Sequence, residues 1–354
     1  MNELESKFAK LNALKSGIES NELKCICKYF EKNRKQIEKT TQPFLHLPSK
    51  EIGTRHPIRY NSQSKEIDIF LDIEEPFARG RLRITLRSLQ YHREEIVVIK
   101  VVETTLEETK TKFIRDYHNL LQFQDIPGIV PVYDFTKTEI DQHDHLEMVQ
   151  KYYNQGNLIQ YLEKQTPKPK QCESIILQLL TTVAALHAKK ILIQDLSPLN
   201  ILINITRNSV IEVGLGDLET LTRWEEIDTK TFDYTTNLKY APPEFWKIAV
   251  EQMSMENIPR EHIHKIDIWC LGECLWMLLS DTPLPWAEKA EEPKIPNLFS
   301  TADQFEMLEL TTMHIPEPKD LMSIEHLTWE MLQEDPTQRI EAQEALEKFK
   351  KIIK

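Results

Sequence analysis

Lys100 closes the apolar run VVIK, Asp195 and Asn200 share the stretch ILIQDLSPLN, and Asp217 follows the run VIEVGLG. A lysine, a lone carboxylate, an amide and a second carboxylate, in that order, make the set that phosphoryl transfer from ATP needs. The lysine holds phosphate oxygens, the amide and the last acid hold a divalent metal, and the first acid accepts a hydroxyl proton. Each residue alone has an ordinary explanation. A lysine ending an apolar strand commonly just carries its ammonium to water. The order of the set is what points to one reaction.

These side chains need rigid elements to hold them. EIVVIKVV (95–102) is β-branched and nearly continuous, the pattern of a central strand. IDIFLDI (67–73) and RLRITLRS (81–88) alternate as flanking strands, a helix is predicted over 106–123, and a strand pair near 130–135 and 145–153. After Gly156 the pattern turns helical, with LIQYLEKQ (158–165) and CESIILQLLTTVAALHAKK (172–190). A short β-rich patch at 191–217 interrupts the helices and carries Asp195, Asn200 and Asp217. Strands first and helices second predict an α+β layout with two lobes.

In front of the strands, Leu4, Phe8, Leu11 and Leu14 recur at helical spacing, and residues 1–40 read as a helical extension. Residues 41–66, with Pro43, Pro48 and Pro57, read as an irregular connector. The predicted division is therefore 1–66 for the extension and connector, 67–153 for a β-rich lobe and 154–354 for a helical lobe.

Composition narrows the function classes. The 354 residues include 8 glycines, where average usage would give roughly 25. Neither a dinucleotide fingerprint nor a Walker A loop is present. A net charge of −12 disfavours nucleic acid as a partner. The odd count of 5 cysteines argues against a disulfide framework and for reduced thiols, hence the cytoplasm or nucleus. Cys25 and Cys27 read as ordinary thiols. The N-terminus is charged from residue 3 and lacks a signal-peptide core, and the apolar run at 268–279 is too short to span a bilayer. No membrane role is expected.

Beyond the four residues, the chain resembles the protein kinase superfamily over about 67–349. VVIK is similar to the family's VAIK strand, and LHAKKILIQDLSPLNIL to LHxxxIxHRDLKPxNIL. GDLE stands where DFG should be, YAPPE (240–244) where the APE motif falls, HKIDIWCLGECLWMLL (264–279) on the helix that usually reads SDVWSLG, and EDPTQRIEAQEAL (334–346) on DPxxRxTAxEAL. The resemblance implies a bilobal fold, ATP and Mg²⁺ as cofactors and a protein substrate. It implies that Asp195 is the catalytic base, that Asn200 and Asp217 hold metal, and that Lys100 pairs with an acid on the following helix. Asp116 is the best match for that acid, one methylene shorter than the family's glutamate, with Glu107 and Glu108 as earlier alternatives. Gln150 falls at the gatekeeper position, and Lys151, Tyr152 and Tyr153 would border the adenine. Glu244 and Arg339 would form a buried ion pair, and Asp267 would accept backbone N–H groups of the catalytic loop.

The chain also departs from the family. The phosphate loop keeps only Gly80, with Glu75 and Phe77 in place of open backbone and Arg79 or Arg81 as substitute phosphate contacts. Ile193, Gln194 and Ser197 replace the loop's histidine, arginine and lysine, and Asn237 replaces the threonine that meets that lysine. Leu218 and Glu219 replace the phenylalanine and glycine of DFG. Ile193, Leu218 and Leu120 would form an aliphatic spine. Two outcomes compete: an ATP-dependent Ser/Thr kinase of low activity, and an inactive pseudokinase serving as a scaffold or structural subunit. In either, the 1–66 extension could dock on its own domain or on a protein partner.

Overall fold

The computed structural model describes residues 20–37, 39, 44–54, 58–61, 66–71, 78–79, 83–90, 95–140, 143–227, 240–251, 260–280, 284, 307–312 and 315–354. Residues 1–19, the phosphate-loop positions Glu75, Phe77, Gly80 and Arg81, and Asn237 lie outside them. The chain divides into two compact units, Met1–Leu121 with Pro131–Tyr152 and Gln122–Val130 with Tyr153–Lys354.

The first unit opens with α1 (Ser20–Ile37), then β1 (Phe44–Leu47), the one-turn α2 (Ser49–Ile52), β2 (Ile58–Asn61), β3 (Glu66–Leu71), β4 (Ala78–Arg79), β5 (Arg83–Gln90) and β6 (Glu95–Glu103). α3 (Glu107–Phe123), β7 (Val132–Ile140) and β8 (His143–Lys151) follow. The strands form one antiparallel sheet in the order β1-β2-β3-β5-β6-β8-β7, with β4 added on β5. β6 is central, as its β-branched run predicts. Val97, Ile99 and Val101 are buried on one face, while Val98 and Lys100 sit half-buried on the other.

Within the stretch expected to be an irregular connector, the described residues 44–54 and 58–61 carry two strands and a helical turn. β1 and β2 extend the sheet beyond β3, and Pro48 starts α2 by accepting from Glu51 and Ile52 N–H at 3.0 and 3.1 Å. Strands of four residues next to prolines carry too little periodicity to be seen; pairing of β1 with β2 and of β2 with β3 supplies what the local pattern lacks. α1 lays Ile26 and Ile37 against Leu47, Ile52, Ile58, Tyr60 and Ile69, and Phe30 meets Tyr60 edge-on at 5.3 Å. The apolar face of α1 thus covers its own sheet; the expected apolar positions Leu4, Phe8, Leu11 and Leu14 lie outside the described residues.

The second unit holds β9 (Gly156–Asn157), α4 (Leu158–Lys164), α5 (Pro169–Ala188), β10 (Ile191–Leu192), β11 (Ile201–Ile205), β12 (Ile211–Leu215) and β13 (Thr222–Arg223). α6 (Pro243–Glu251), α7 (Lys265–Leu279), α8 (Ile324–Met331) and α9 (Ala342–Ile352) complete it. β12-β11-β9 form one small sheet and β10-β13 another. α7, which contains the apolar run, is buried along most of its length, as a helix apolar all round must be. Gly272 lets it approach α8 closely: a Cβ there would stand 2.9 Å from Leu332 and Met331 side-chain atoms. Among the described residues no helix is long and apolar enough to cross a membrane.

Candidate active site

Lys100 lies in β6 opposite Thr85 of β5 and Met148 of β8, so its backbone is fixed from both sides. On α3, Phe113, Asp116, Leu120 and Phe123 fall at i, i+3, i+7 and i+10 and are all buried. Phe113 and Tyr117 anchor that helix on Phe135 of β7, with centroids 5.9 and 4.2 Å away. Asp116 is therefore carried on the buried stripe, and its Oδ2 meets Lys100 Nζ at 3.5 Å. Glu107 and Glu108, the alternatives, are exposed and pair with Lys110 and Lys112 at 3.0 and 2.8 Å. The Lys112 ammonium, bonded to Glu108, lowers that carboxyl's pKa. Gln150 is buried, its amide against Met148 Sδ at 3.6 Å.

In the second unit the β11–β12 ladder does the positioning. Ile201 pairs with Leu215, and the next rung continues as Gly216 N–H donating to Asn200 O at 3.0 Å. Asn200 and Asp217 therefore leave the ladder side by side at one end. Asn200 Nδ2 also donates to Asp195 O at 2.9 Å and Asp195 Oδ2 at 2.8 Å. Both bonds use the amide nitrogen, which leaves the amide oxygen as the atom of Asn200 that suits a cation. An amide oxygen beside a carboxylate is the hard donor set that Mg²⁺ prefers, so the residues fit that metal.

Asp267, at the start of α7 and fully buried, shapes the loop before Asp195. Its Oδ2 accepts from Ile193 N–H at 2.8 Å and its Oδ1 from Gln194 N–H at 3.0 Å. His187 Nε2 meets the same Oδ2 at 2.9 Å. Gln194 and Asp217 are two of the four described non-glycine residues with left-handed backbone, at φ 67° and 58°. Such conformations cost about 1–3 kcal/mol each and persist only where the surroundings impose them. For Gln194 the surroundings are the two Asp267 hydrogen bonds. Glu219, in place of the family's glycine, does not need positive φ.

Arg339 is buried and uses its whole fork. It donates to both carboxylate oxygens of Glu244, at 2.7 and 2.6 Å, and to the carbonyls of Gln333, Lys265 and Glu334 at 2.8, 3.1 and 3.1 Å. It also lies over the Trp269 ring at 5.0 Å. A bidentate pair with every other donor satisfied fixes α6 to the start of α7.

The remaining named positions are placed as follows. Lys151 and Tyr152 are half-buried, and Tyr153 is buried with its ring end against Gly214, where an added Cβ would stand 2.3 Å from Cζ. The Tyr153 side chain is thus engaged in packing, and its carbonyl accepts from Gly156 N–H at 3.1 Å. Leu120, Ile193 and Leu218 are each buried. Ser197 is 1% exposed, a hydroxyl where the family carries a charged lysine. Burial pushes the thiols of Cys270 and Cys274 well above their ordinary range, so they are inert core residues.

Sequence reading gave no role to His187, Trp224 or His264. Trp224 stacks on His264 at 4.8 Å, and His264 Nε2 meets Glu341 Oε2 at 2.9 Å. That hydrogen bond, with the Lys265 ammonium nearby, holds the Glu341 carboxyl down to about 2. The only local signal was a histidine in the last turn of the buried α5.

A sequence model described as "Protein kinase domain" matches residues 77–349. Among curated proteins, the phosphorylase b kinase gamma catalytic chain, liver/testis isoform, of Homo sapiens is 25% identical over 307 residues, covering 84% of this chain and 70% of that protein. Serine/threonine-protein kinase cds1 of Schizosaccharomyces pombe is 26% identical over 273 residues, covering 77% of this chain and 55% of that protein. DNA damage response protein kinase DUN1 of Saccharomyces cerevisiae is 25% identical over 208 residues, covering 53% and 38%.

Proposed function

The chain belongs to the protein kinase family, and on that premise we propose that it binds ATP with Mg²⁺ and transfers phosphate to Ser or Thr hydroxyls of a protein substrate. The observation that carries this reading is the grouping of Asp195, Asn200 and Asp217. Asn200 is hydrogen-bonded to Asp195 at 2.8 Å and shares the end of the β11–β12 ladder with Asp217. Bound ATP would supply the phosphoryl group, with Mg²⁺ screening its charge.

In this reading Asn200 and Asp217 hold the cation and Lys100, aligned by Asp116, holds phosphate oxygens. Asp195, oriented by Asn200, accepts the substrate's hydroxyl proton. Gly80 and the hinge Lys151, Tyr152 and Tyr153 border the nucleotide. The relatives' names as kinases, one of them a serine/threonine-protein kinase, favour the same substrate class. A net charge of −12 disfavours nucleic acid as substrate, and free thiols at Cys25, Cys172, Cys270 and Cys274 suit a cytoplasmic protein.

One observation favours a second reading, an inactive scaffold or structural subunit. Ser197 is buried and uncharged where a loop lysine would neutralise the transferred group, a loss that commonly costs 10²–10³ in rate, on the order of 3–4 kcal/mol. A protein partner would then be bound through exposed surface, including the polar face of α1.

Thermal-shift titration with ATP, with and without Mg²⁺, tests the proposal. Stabilisation grows with ligand concentration over Kd; an unchanged melting temperature at millimolar ATP overturns nucleotide binding. Phosphotransfer by wild type should exceed that of Asp195→Asn by roughly 10²-fold or more. Binding without any such difference selects the scaffold.

A further inference from the structure

The phosphotransfer reading leaves unused a set of contacts where the segment after Asp217 returns to the end of α5. Thr222 and Arg223 of β13 pair with Leu192 and Ile191 of β10. The next residue, Trp224, lays its indole on the His264 imidazole with planes 23° apart, and meets His187 edge-on at 5.6 Å. His187 and His264 also meet each other edge-on at 5.4 Å. Each imidazole is fixed from behind, His187 by Asp267 and His264 by Glu341, both at 2.9 Å.

The backbone repeats the connection. Trp224 N–H donates to Lys190 O at 3.2 Å, Glu225 pairs with the Lys190 ammonium, and Thr220 Oγ1 donates to Ile193 O at 2.8 Å. Lys190 is left-handed, at φ 60°. A lysine keeps that conformation only where its neighbours impose it, and Trp224 and Glu225 are among those neighbours. His187 shares its Asp267 oxygen with Ile193 N–H. A single imidazole therefore separates the indole from the carboxylate that shapes the loop leading to Asp195.

We propose that Trp224 is a positioning residue. Through its stack on His264 and His187 it locks the 218–227 segment onto the 191–200 loop, so that aromatic packing sets the geometry of Asp195 and Asn200. Gln194, neutral and buried beside this lock, offers no cation to a phosphate on the segment; the segment is held by aromatic packing together with the Lys190 and Ile193 backbone contacts. The functional meaning rests on the phosphotransfer reading, but the lock is a property of the unliganded chain.

Backbone amide exchange of the unliganded full chain tests it, with wild type, Trp224→Ala, Trp224→Phe and His264→Gln compared. Trp224→Ala should speed exchange about tenfold at both 191–194 and 222–227, the worth of one strong aromatic pair, and leave α9 unchanged. Trp224→Phe, which restores a ring, should return most of the protection. His264→Gln keeps a hydrogen-bonding group for Glu341 but removes the stack, so it should reproduce the alanine pattern and serves if Trp224→Ala does not fold. Unchanged exchange at 191–194 in the variants that fold, or equal effects of phenylalanine and alanine, overturns the proposal. ATP binding is scored separately on wild type. Its absence would remove the phosphotransfer reading and leave the exchange result standing.

Discussion

Lys100 Nζ stands 3.5 Å from Asp116 Oδ2, and the carboxylate side chain is 0% exposed while the lysine is 15% exposed. A shorter acid than the family's glutamate thus reaches the strand lysine. The pair joins the centre of the sheet to α3 within one unit.

Because the carboxylate is fully buried, removing the facing cation should cost more than an exposed pair is worth. Lys100→Met is expected to destabilise the protein by about 3 kcal/mol. Lys100→Met combined with Asp116→Leu should cost clearly less than the sum of the two single changes, with a coupling of about 1 kcal/mol or more. Urea denaturation of the four proteins measures this. Additive losses would mean that the two side chains are not energetically coupled.

Asn200 and Asp217 should matter to magnesium more than to folding. Asp217→Asn tolerates the left-handed backbone at φ 58° and removes the charge. With nucleotide at about 100 times Kd, wild type gains roughly 2.7 kcal/mol, and each tenfold loss of affinity removes about 1.4. The Mg²⁺-dependent part of the ATP thermal shift should shrink by about that amount in Asp217→Asn and in Asn200→Ala. A shift that keeps its Mg²⁺ dependence in both variants speaks against these residues as the metal's ligands.

The legible parts of this chain are those whose cause is local. The β6 run, the α3 stripe and the motifs of the helical unit announce themselves because their periodicity or spacing lies within a few turns of chain. β1 and β2 do not, since these four-residue strands are stabilised by pairing with each other and, for β2, with β3 rather than by their own pattern. Tyr153 is expected to border the adenine from its place in the sequence, whereas the seat of its ring depends on Gly214, 61 positions on, which leaves the space the ring fills. Trp224 and His264 are 40 residues apart, and no spacing rule connects them. Chemistry-bearing residues are readable as an ordered set, and Asp116 and Asp267, which hold them, through the family's motifs; Trp224, His187 and His264, which have no such motif role, are not.

Glu341 makes part of the acid stability predictable. Its folded pKa of about 2 lies below the ordinary 4.5, chiefly through the His264 hydrogen bond. A depressed carboxyl stabilises the folded state fully above pH 4.5, and that contribution fades as pH falls toward 2. The side chain is 52% exposed, so solvent screening keeps the effect modest. Melting temperature should fall across this window, and Glu341→Gln should flatten part of the fall. Identical pH profiles would show that the His264–Glu341 bond contributes nothing to stability.

The extension should prove inseparable from the lobe it precedes. Arg59 of β2 pairs with Glu147 of β8, at side-chain exposures of 0% and 3%. β3, β5 and β6 lie between these strands in the sheet, and a flat sheet would hold them roughly 19 Å apart. Their contact means that the sheet curls until its inner face closes on this ion pair. Glu147 sits inside the stretch that matches the kinase family, which begins at residue 77, whereas Arg59 lies before it. A chain starting at residue 67 would keep the carboxylate and lose its guanidinium, together with the apolar cover of α1. Arg59→Ala isolates the electrostatic part and should cost about 3–5 kcal/mol, while Arg59→Met with Glu147→Leu should recover most of it. Chemical denaturation of these variants beside the shortened chain separates the two contributions. A shortened chain as stable as the full one would mean that the first 66 residues are an appendage, and that the buried pair adds nothing the kinase-like lobe needs.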